Sequence, residues 1–137
     1  MASNYNERII EEFRGNAGRV GGSFQGATLL LLTTKGARSG QPRTTPLMYM
    51  ADGERFIVVG SAAGASKHPA WFHNLVARPQ VSVEVGTDEF PVRAEVLEGE
   101  ERQRLWDRVI TQAPGFADYQ RNTARQIPLI ALTSEAD

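Results

Sequence analysis

Three cations, a hydroxyl and two glycines fall within nine residues, Lys35-Gly36-Ala37-Arg38-Ser39-Gly40-Gln41-Pro42-Arg43. Glycines let backbone N–H groups approach an anion, and the guanidiniums of Arg38 and Arg43 offer forked donors that match phosphate oxygens. The Gly-Lys-Ser/Thr step of a nucleotide P-loop is missing. A solvated basic hairpin has the same composition, so the residues alone leave both readings open. A second stretch, Gly60-Ser61-Ala62-Ala63-Gly64-Ala65-Ser66-Lys67, is made almost wholly of small residues. It lets a flat ligand come close to the backbone, or it simply connects two elements.

Next come Pro69-Ala70-Trp71-Phe72-His73-Asn74-Leu75, with adjacent aromatics that must face different ways on a helix, and Phe116 and Tyr119, which share one helix face. Trp71 reads as core. Asn74 either bonds a ligand or caps a strand end, and the aromatic pair either roofs a planar ligand, with Tyr5 joining it, or closes the core. Between Lys35 and Arg78 the bases Lys35, Arg38, Arg43, Arg55, Lys67 and Arg78 face only Asp52 and Glu54, while the formal net charge of the whole chain is −1. A local positive field on a near-neutral protein suits a small polyanion and argues against a nucleic-acid binder. No nucleophile, base and orienter set is present, so any reactivity must come from a cofactor. Without cysteine, thiolate sites are excluded; His68 and His73, five apart with no acid nearby, do not make a metal pair, so no metal is expected.

These residues need elements to hold them. The face of Ile9, Ile10 and Phe13 predicts a helix over Asn4–Arg14, capped by Asn4 or Asn6. A glycine-rich loop follows to Gly26. Ala27–Thr34 reads as a buried strand. Arg43–Ala51 reads as one strand that Pro46 marks as bulged or at an edge. Asp52-Gly53 turns into a strand over Arg55–Val59. A helix from Pro69 to Ala77 leads to alternating strands at Gln80–Val85 and Glu89–Leu97. Helices at Glu100–Thr111 and Gly115–Ala124 precede a closing strand, Pro128–Leu132. The tight turns require antiparallel neighbours. The expected fold class is α+β: a mostly antiparallel β-barrel with flanking helices. The chain divides into an N-terminal helix and glycine-rich loop (1–26) and the barrel (27–137) within a single domain, with the helix and loop expected to form a mobile lid.

Leu31 to Arg43 resembles the signature of the deazaflavin-dependent nitroreductase and quinone reductase family. So do Pro46-Leu47, Val58-Val59-Gly60-Ser61, Pro69 to Leu75 with Pro79, and Asp118-Tyr119-Gln120 before Arg125-Gln126-Ile127-Pro128. The resemblance implies that this barrel is a split β-barrel, FMN-binding-like, that binds F420, a 5-deazaflavin with a phospholactyl and polyglutamate tail, and passes hydride from F420H2 to a quinone, enone or nitro acceptor. It further implies that Ala37, Arg38, Ser39 and Arg43 hold the phosphate and tail. Thr44, Thr45, Pro46, Leu47 and Met48, with Val59, Gly60, Ser61 and Ala62, would line the ring and ribityl chain. Ala70, Trp71, Phe72, His73 and Asn74 would add contacts at the helix start. Ser61 and Tyr119 would polarise the acceptor or supply a proton. Family members often carry lysine where this chain has Ala62; either Lys67 substitutes for it or affinity for the tail is weaker. Phe116 and Asn122 replace hydroxyl-bearing rings of the family's substrate roof, which favours quinone or enone over nitro acceptors.

Two rivals remain: an FMN-dependent reductase on the same barrel, and a non-catalytic F420 carrier. The polar, acid-bearing start and the short apolar runs imply a cytoplasmic protein. Apolar acceptors leave peripheral membrane contact open, and either a monomer or a homodimer fits.

Overall fold

The computed structural model describes residues 2–20 and 28–135. The strand start at Ala27, most of the glycine-rich loop and the 26/27 division fall outside them, as does the side chain of Tyr5. Helix α1 spans Ala2–Gly15. It begins before Asn4 and Asn6, so both lie inside it and neither is its cap. The strands that follow are β1 (Leu29–Lys35), β2 (Pro42–Met48), β3 (Met50–Asp52) and β4 (Arg55–Val59). A 3-10 turn at Ala62–Gly64 precedes α2 (Ala70–Ala77). Then come β5 (Gln80–Val85), β6 (Asp88–Val96), α3 (Gly99–Gln112), α4 (Gly115–Arg121) and β7 (Leu129–Ser134).

The seven strands form one sheet in the order β2-β1-β5-β6-β7-β4-β3, every neighbouring pair antiparallel. The expected single strand Arg43–Ala51 is divided. Its halves, β2 and β3, stand at opposite ends of the sheet, joined through Tyr49 alone, so the sheet must curl until its ends meet. At this seam the Tyr49 N–H donates to the Thr28 carbonyl at 3.1 Å. Pro46, opposite Leu31 on an end strand, needs no N–H for a further neighbour. The architecture is the split β-barrel.

Alternation sorts the side chains. Leu30, Leu32, Val58, Val83, Val92, Ile130 and Leu132 fill the barrel, with Trp71 and Leu75 of α2 packed into the same core. Tyr49, inside the barrel, meets Phe56 edge-on at 5.2 Å, and Phe56 meets Phe90 at 5.9 Å. The outer faces are covered too. Ile9 and Phe13 of α1 lie on Leu29 and Leu31, while Leu105, Trp106 and Val109 of α3 lie on Ile57, Leu129 and Ala131. Strands covered on both faces read as continuous apolar runs, which explains Leu29–Leu32 and Leu129–Leu132, all buried. Arg14 at the end of α1 donates to both carboxylate oxygens of Glu84, at 2.9 and 2.7 Å. Its C-terminal half is therefore docked; it is a wall of the barrel, not the lid expected from sequence.

Candidate functional site

The β1–β2 turn carries the basic cluster. Gly36 N–H donates to the Gln41 carbonyl at 2.8 Å and Gly40 N–H to the Gly36 carbonyl at 2.9 Å. Gly40 sits at φ +71°, a conformation that favours glycine, and a Cβ on Gly36 would lie 2.5 Å from Ser39 Oγ and displace that hydroxyl. Ser39 Oγ in turn accepts from Gln41 N–H at 3.1 Å. The turn is held from below by Asn74, 8 % exposed, which accepts from Ala37 N–H at 2.9 Å and donates to Thr34 Oγ1 at 3.1 Å. Both ends of the Asn74 amide are thus used within the protein. Asn74 therefore clamps the turn from the cleft wall, where a buried amide without partners would be costly.

A cleft of about 1130 Å³ opens beside this turn. Ala37, Arg38, Ser39, Arg43, Thr44, Thr45, Ala70, Trp71, His73 and Asn74 line it, together with Asn6, Glu7 and Ile10 of α1. Arg38 and Arg43 are exposed, and neither takes part in an ion pair among the described residues. Five residues on from Arg43, about 17 Å along a strand, Met48 enters a second cavity of about 210 Å³. Its walls include Met50, Ile57, Val59, Val109 and Phe116, with Thr28, Tyr49 and Gln112 as polar members. Met48 is 41 % exposed.

In the chain, the small-residue stretch follows Val59 of the apolar cavity and precedes Pro69 of the cleft. Gly60 and Ser61 are buried, Ser61 at 8 % exposure. Ala62 takes φ +46°, a conformation that L-residues rarely adopt and that is kept only where surroundings impose it. Arg125 imposes it. Its guanidinium donates to the carbonyls of Ala65 (2.9 Å), Gly60 (3.0 Å) and Ser61 (2.6 Å) and meets His68 Nδ1 at 2.9 Å. A guanidinium has no acceptor, so Nδ1 of His68 must accept and its proton belongs on Nε2. Burial, then the charges of Arg125 and His73, hold the His68 pKa below its ordinary 6.5. Gln120 fixes the far side, donating to the Arg125 carbonyl at 2.7 Å and accepting from Ile127 N–H at 2.9 Å. Neither Arg125 nor Gln120 stood out singly in the sequence. Their one signal was membership of the quoted segments 118–120 and 125–128.

The remaining expected residues are dispersed. Pro46, Leu47, Gly60, Ser61, Ala62, Lys67, Phe72 and Tyr119 line neither cavity. Phe72 packs on the barrel core and on His68 at 4.7 Å. Tyr119 packs beside Phe116, ring centres 6.0 Å apart. Among the described residues no group of three or more His, Asp or Glu side chains could hold a metal, and no helix is long and apolar enough to cross a membrane.

The split barrel thus carries an open basic turn beside a cleft and, further along the same strand, an apolar cavity. The sequence profile of the F420H2-dependent quinone reductases matches residues 7–134, and the chain belongs to that family. It is 41% identical over 125 residues to an F420H2-dependent quinone reductase of Mycobacterium tuberculosis strain H37Rv, covering 88% of this chain and 84% of that one. A solved F420H2-dependent reductase, FDR-A, superposes with TM-score 0.70 at 40% identity, over 77% of this chain and 93% of that one. Another solved structure, described as a domain-swapped dimer, matches 96% of both chains at 36% identity with TM-score 0.72.

Proposed function

We propose that this protein is an F420H2-dependent reductase acting on neutral, quinone-type acceptors. The observation that carries the reading is the pairing of open guanidiniums at Arg38 and Arg43 with an apolar cavity at Met48 and Val59, both on the run of chain that ends the barrel seam. The site residues suit F420: the turn offers Ala37, Arg38, Ser39 and Arg43 to a phosphate, with Lys67 as a further cation, and Gly36 leaves no Cβ to crowd the cradle. Reduced deazaflavin, when bound, supplies a hydride and moves two electrons together.

The chain's own part is positional. Thr44, Thr45 and Met48 on one side and Val59 on the other would border the ring directly, with Pro46, Leu47, Gly60, Ser61 and Ala62 as their neighbours in the chain. Ala70, Trp71, Phe72 and His73 close the helix side. Asn74 holds the basic turn, and Arg125 holds the opposite loop, so neither rearranges when ligand arrives. The cavity offers the acceptor apolar walls and no charged side chain, which selects a neutral ring and keeps water from it. Tyr119, beside the cavity residue Phe116, and Ser61, two residues on from Val59, would hold or move the proton that accompanies hydride addition. Met48, exposed at the cavity, suits an acceptor with a lipid-like tail and brief contact with a membrane surface. The domain-swapped relative supports a homodimer as the assembly, which light scattering tests.

The decisive test is titration with F420 by fluorescence, then loss of F420H2 absorbance with a panel of quinones, enones and nitroaromatics. Tight F420 binding and quinone turnover are expected. Binding of FMN without F420, or F420 binding without turnover of any acceptor, would overturn the proposal.

A further inference from the structure

The smaller cavity has three polar members among its apolar walls: Thr28, Tyr49 and Gln112. Tyr49 turns its ring into the barrel against Phe56, while its neighbour Met50 packs outside with Ile57 and Val109. Tyr49 therefore meets the cavity with its backbone, whose N–H already donates to the Thr28 carbonyl at 3.1 Å. Gln112 is placed differently. It is the last residue of α3, three on from Val109 and so on the same helix face. Val109 is buried and lines the cavity, so this face of α3 is the one turned toward it. Other polar side chains of the helix bond one another or the helix backbone. Gln103 Nε2 donates to Asp107 Oδ1 at 2.8 Å, and Thr111 Oγ1 to the Asp107 carbonyl at 2.7 Å. Gln112 enters neither bond, and its exposed side-chain amide has no hydrogen-bond partner among the described residues.

A quinone brings two carbonyls, on opposite sides of its ring, into any site that takes it up. An enone brings one. With Ser61 and Tyr119 serving the carbonyl that gains the proton, the other would face Met50, Ile57, Val59, Val109 and Phe116. A carbonyl stripped of water against such walls is unfavourable unless a donor replaces the water. A glutamine amide suits both ends of the reaction: Nε2 donates to the quinone oxygen, and Oε1 accepts from the hydroxyl that replaces it after reduction. An ammonium could only donate and a carboxylate only accept. A site that supplies such a bond also rejects molecules that cannot use it.

We propose that Gln112 is a specificity-determining residue of the acceptor cavity: it holds the second carbonyl of a para-quinone, and so favours quinones over acceptors with a single carbonyl. This rests on the reading of the protein as an F420H2-dependent quinone reductase. The Thr28 hydroxyl is the other side-chain donor on the cavity wall, and its substitution serves as the control.

The test measures kcat/KM of the whole protein for para-naphthoquinone and for cyclohexenone, whose single carbonyl must sit by the proton-handling pair to react. The Kd of F420 is measured alongside by fluorescence. Gln112→Leu lowers kcat/KM for the quinone about threefold to tenfold, chiefly through KM, and leaves the enone and F420 values unchanged. Gln112→Glu, which keeps the shape but cannot donate when ionised, shows the same selective loss, and Thr28→Val does not. A Gln112→Leu variant with the wild-type ratio of the two acceptors, or a loss shared equally by both, overturns the assignment; so does a selective loss in Thr28→Val alone. Where the wild type reduces no enone, the quinone values of Gln112→Leu and Thr28→Val decide by themselves. A wild type that binds F420 and reduces no quinone refutes the reading of the reaction, and Gln112 falls with it. A wild type that reduces naphthoquinone while Gln112→Leu matches it refutes the role of Gln112 alone.

Discussion

At the β3–β4 hairpin, Asp52 accepts from Arg55 at 2.6 Å and from Arg108 at 2.8 Å, with Arg104 at 3.8 Å, and Glu101 takes a second bond from Arg55 at 3.1 Å. At the β1–β2 hairpin, Arg38 and Arg43 have no such acid. Both turns contain glycine at positive φ, Gly53 in one and Gly40 in the other. Both flank the seam. The first uses arginine as mortar between α3 and the sheet and is neutralised internally. The second leaves its cations open to a cleft while its backbone is fixed by neutral groups, chiefly Asn74. Charge that holds a fold together is already matched; charge meant for a ligand is left unmatched on a turn made rigid by other means.

Substitutions can break this contrast. The largest effect is expected from Arg38→Ala with Arg43→Ala: cofactor binding weakens by about 2–5 kcal/mol, read by titration, with the thermal midpoint unchanged. A lowered midpoint with unchanged affinity would assign these arginines to structure instead. Arg125→Ala should do both, because it strips the carbonyls of Gly60, Ser61 and Ala65 of their donor. A stability loss of about 2–3 kcal/mol in urea unfolding is expected, together with weaker cofactor binding. Asn74→Ala frees the basic turn and leaves Ala37 N–H and Thr34 Oγ1 without this partner, for about 1–2 kcal/mol of stability and a parallel loss of affinity.

Asp52→Asn tests the other hairpin. It should cost about 0.5–1 kcal/mol, since these pairs are partly exposed, and leave cofactor affinity alone. The bond from Arg55, ahead of that from Arg108, holds the Asp52 carboxyl below its ordinary 3.8. Its contribution is therefore complete above that pH and lost as the pH falls further. The smallest effect concerns His68, whose pKa lies below 6.5. The unfolded chain takes up this proton first, so stability is complete above pH 6.5 and declines below it. His68→Gln, which can keep an acceptor for Arg125, should flatten that part of a stability profile against pH; an unaltered profile removes His68 as its source.

The basic turn was legible because its chemistry is local: glycines, serine and arginines within nine residues make their own conformation. The doubly covered strands Leu29–Leu32 and Leu129–Leu132 were legible from unbroken apolarity. The break at Tyr49 was not. No glycine or proline adjoins Tyr49, and the division arises because β7, eighty residues on, occupies the place beside β4. Asn74 left two roles open in the sequence because its partners, Ala37 and Thr34, are 37 and 40 positions away. Arg125 was hidden for the same reason, its acceptors being 57 to 65 positions distant. What sequence conveyed poorly was the bracing, which depends on closure of the whole sheet.

The place of β7 has a consequence for how the molecule comes into being. It is inserted between β6 and β4, yet it comes last in the chain among the described strands. Until Leu129–Leu132 is made, β4 lacks one neighbour and the two halves of the sheet meet only at the Tyr49 seam. Closure of the sheet must therefore wait for β7 and proceed through distant contacts, which slows it. A stop codon ahead of Leu129 would yield not a weakened reductase but a chain with no barrel.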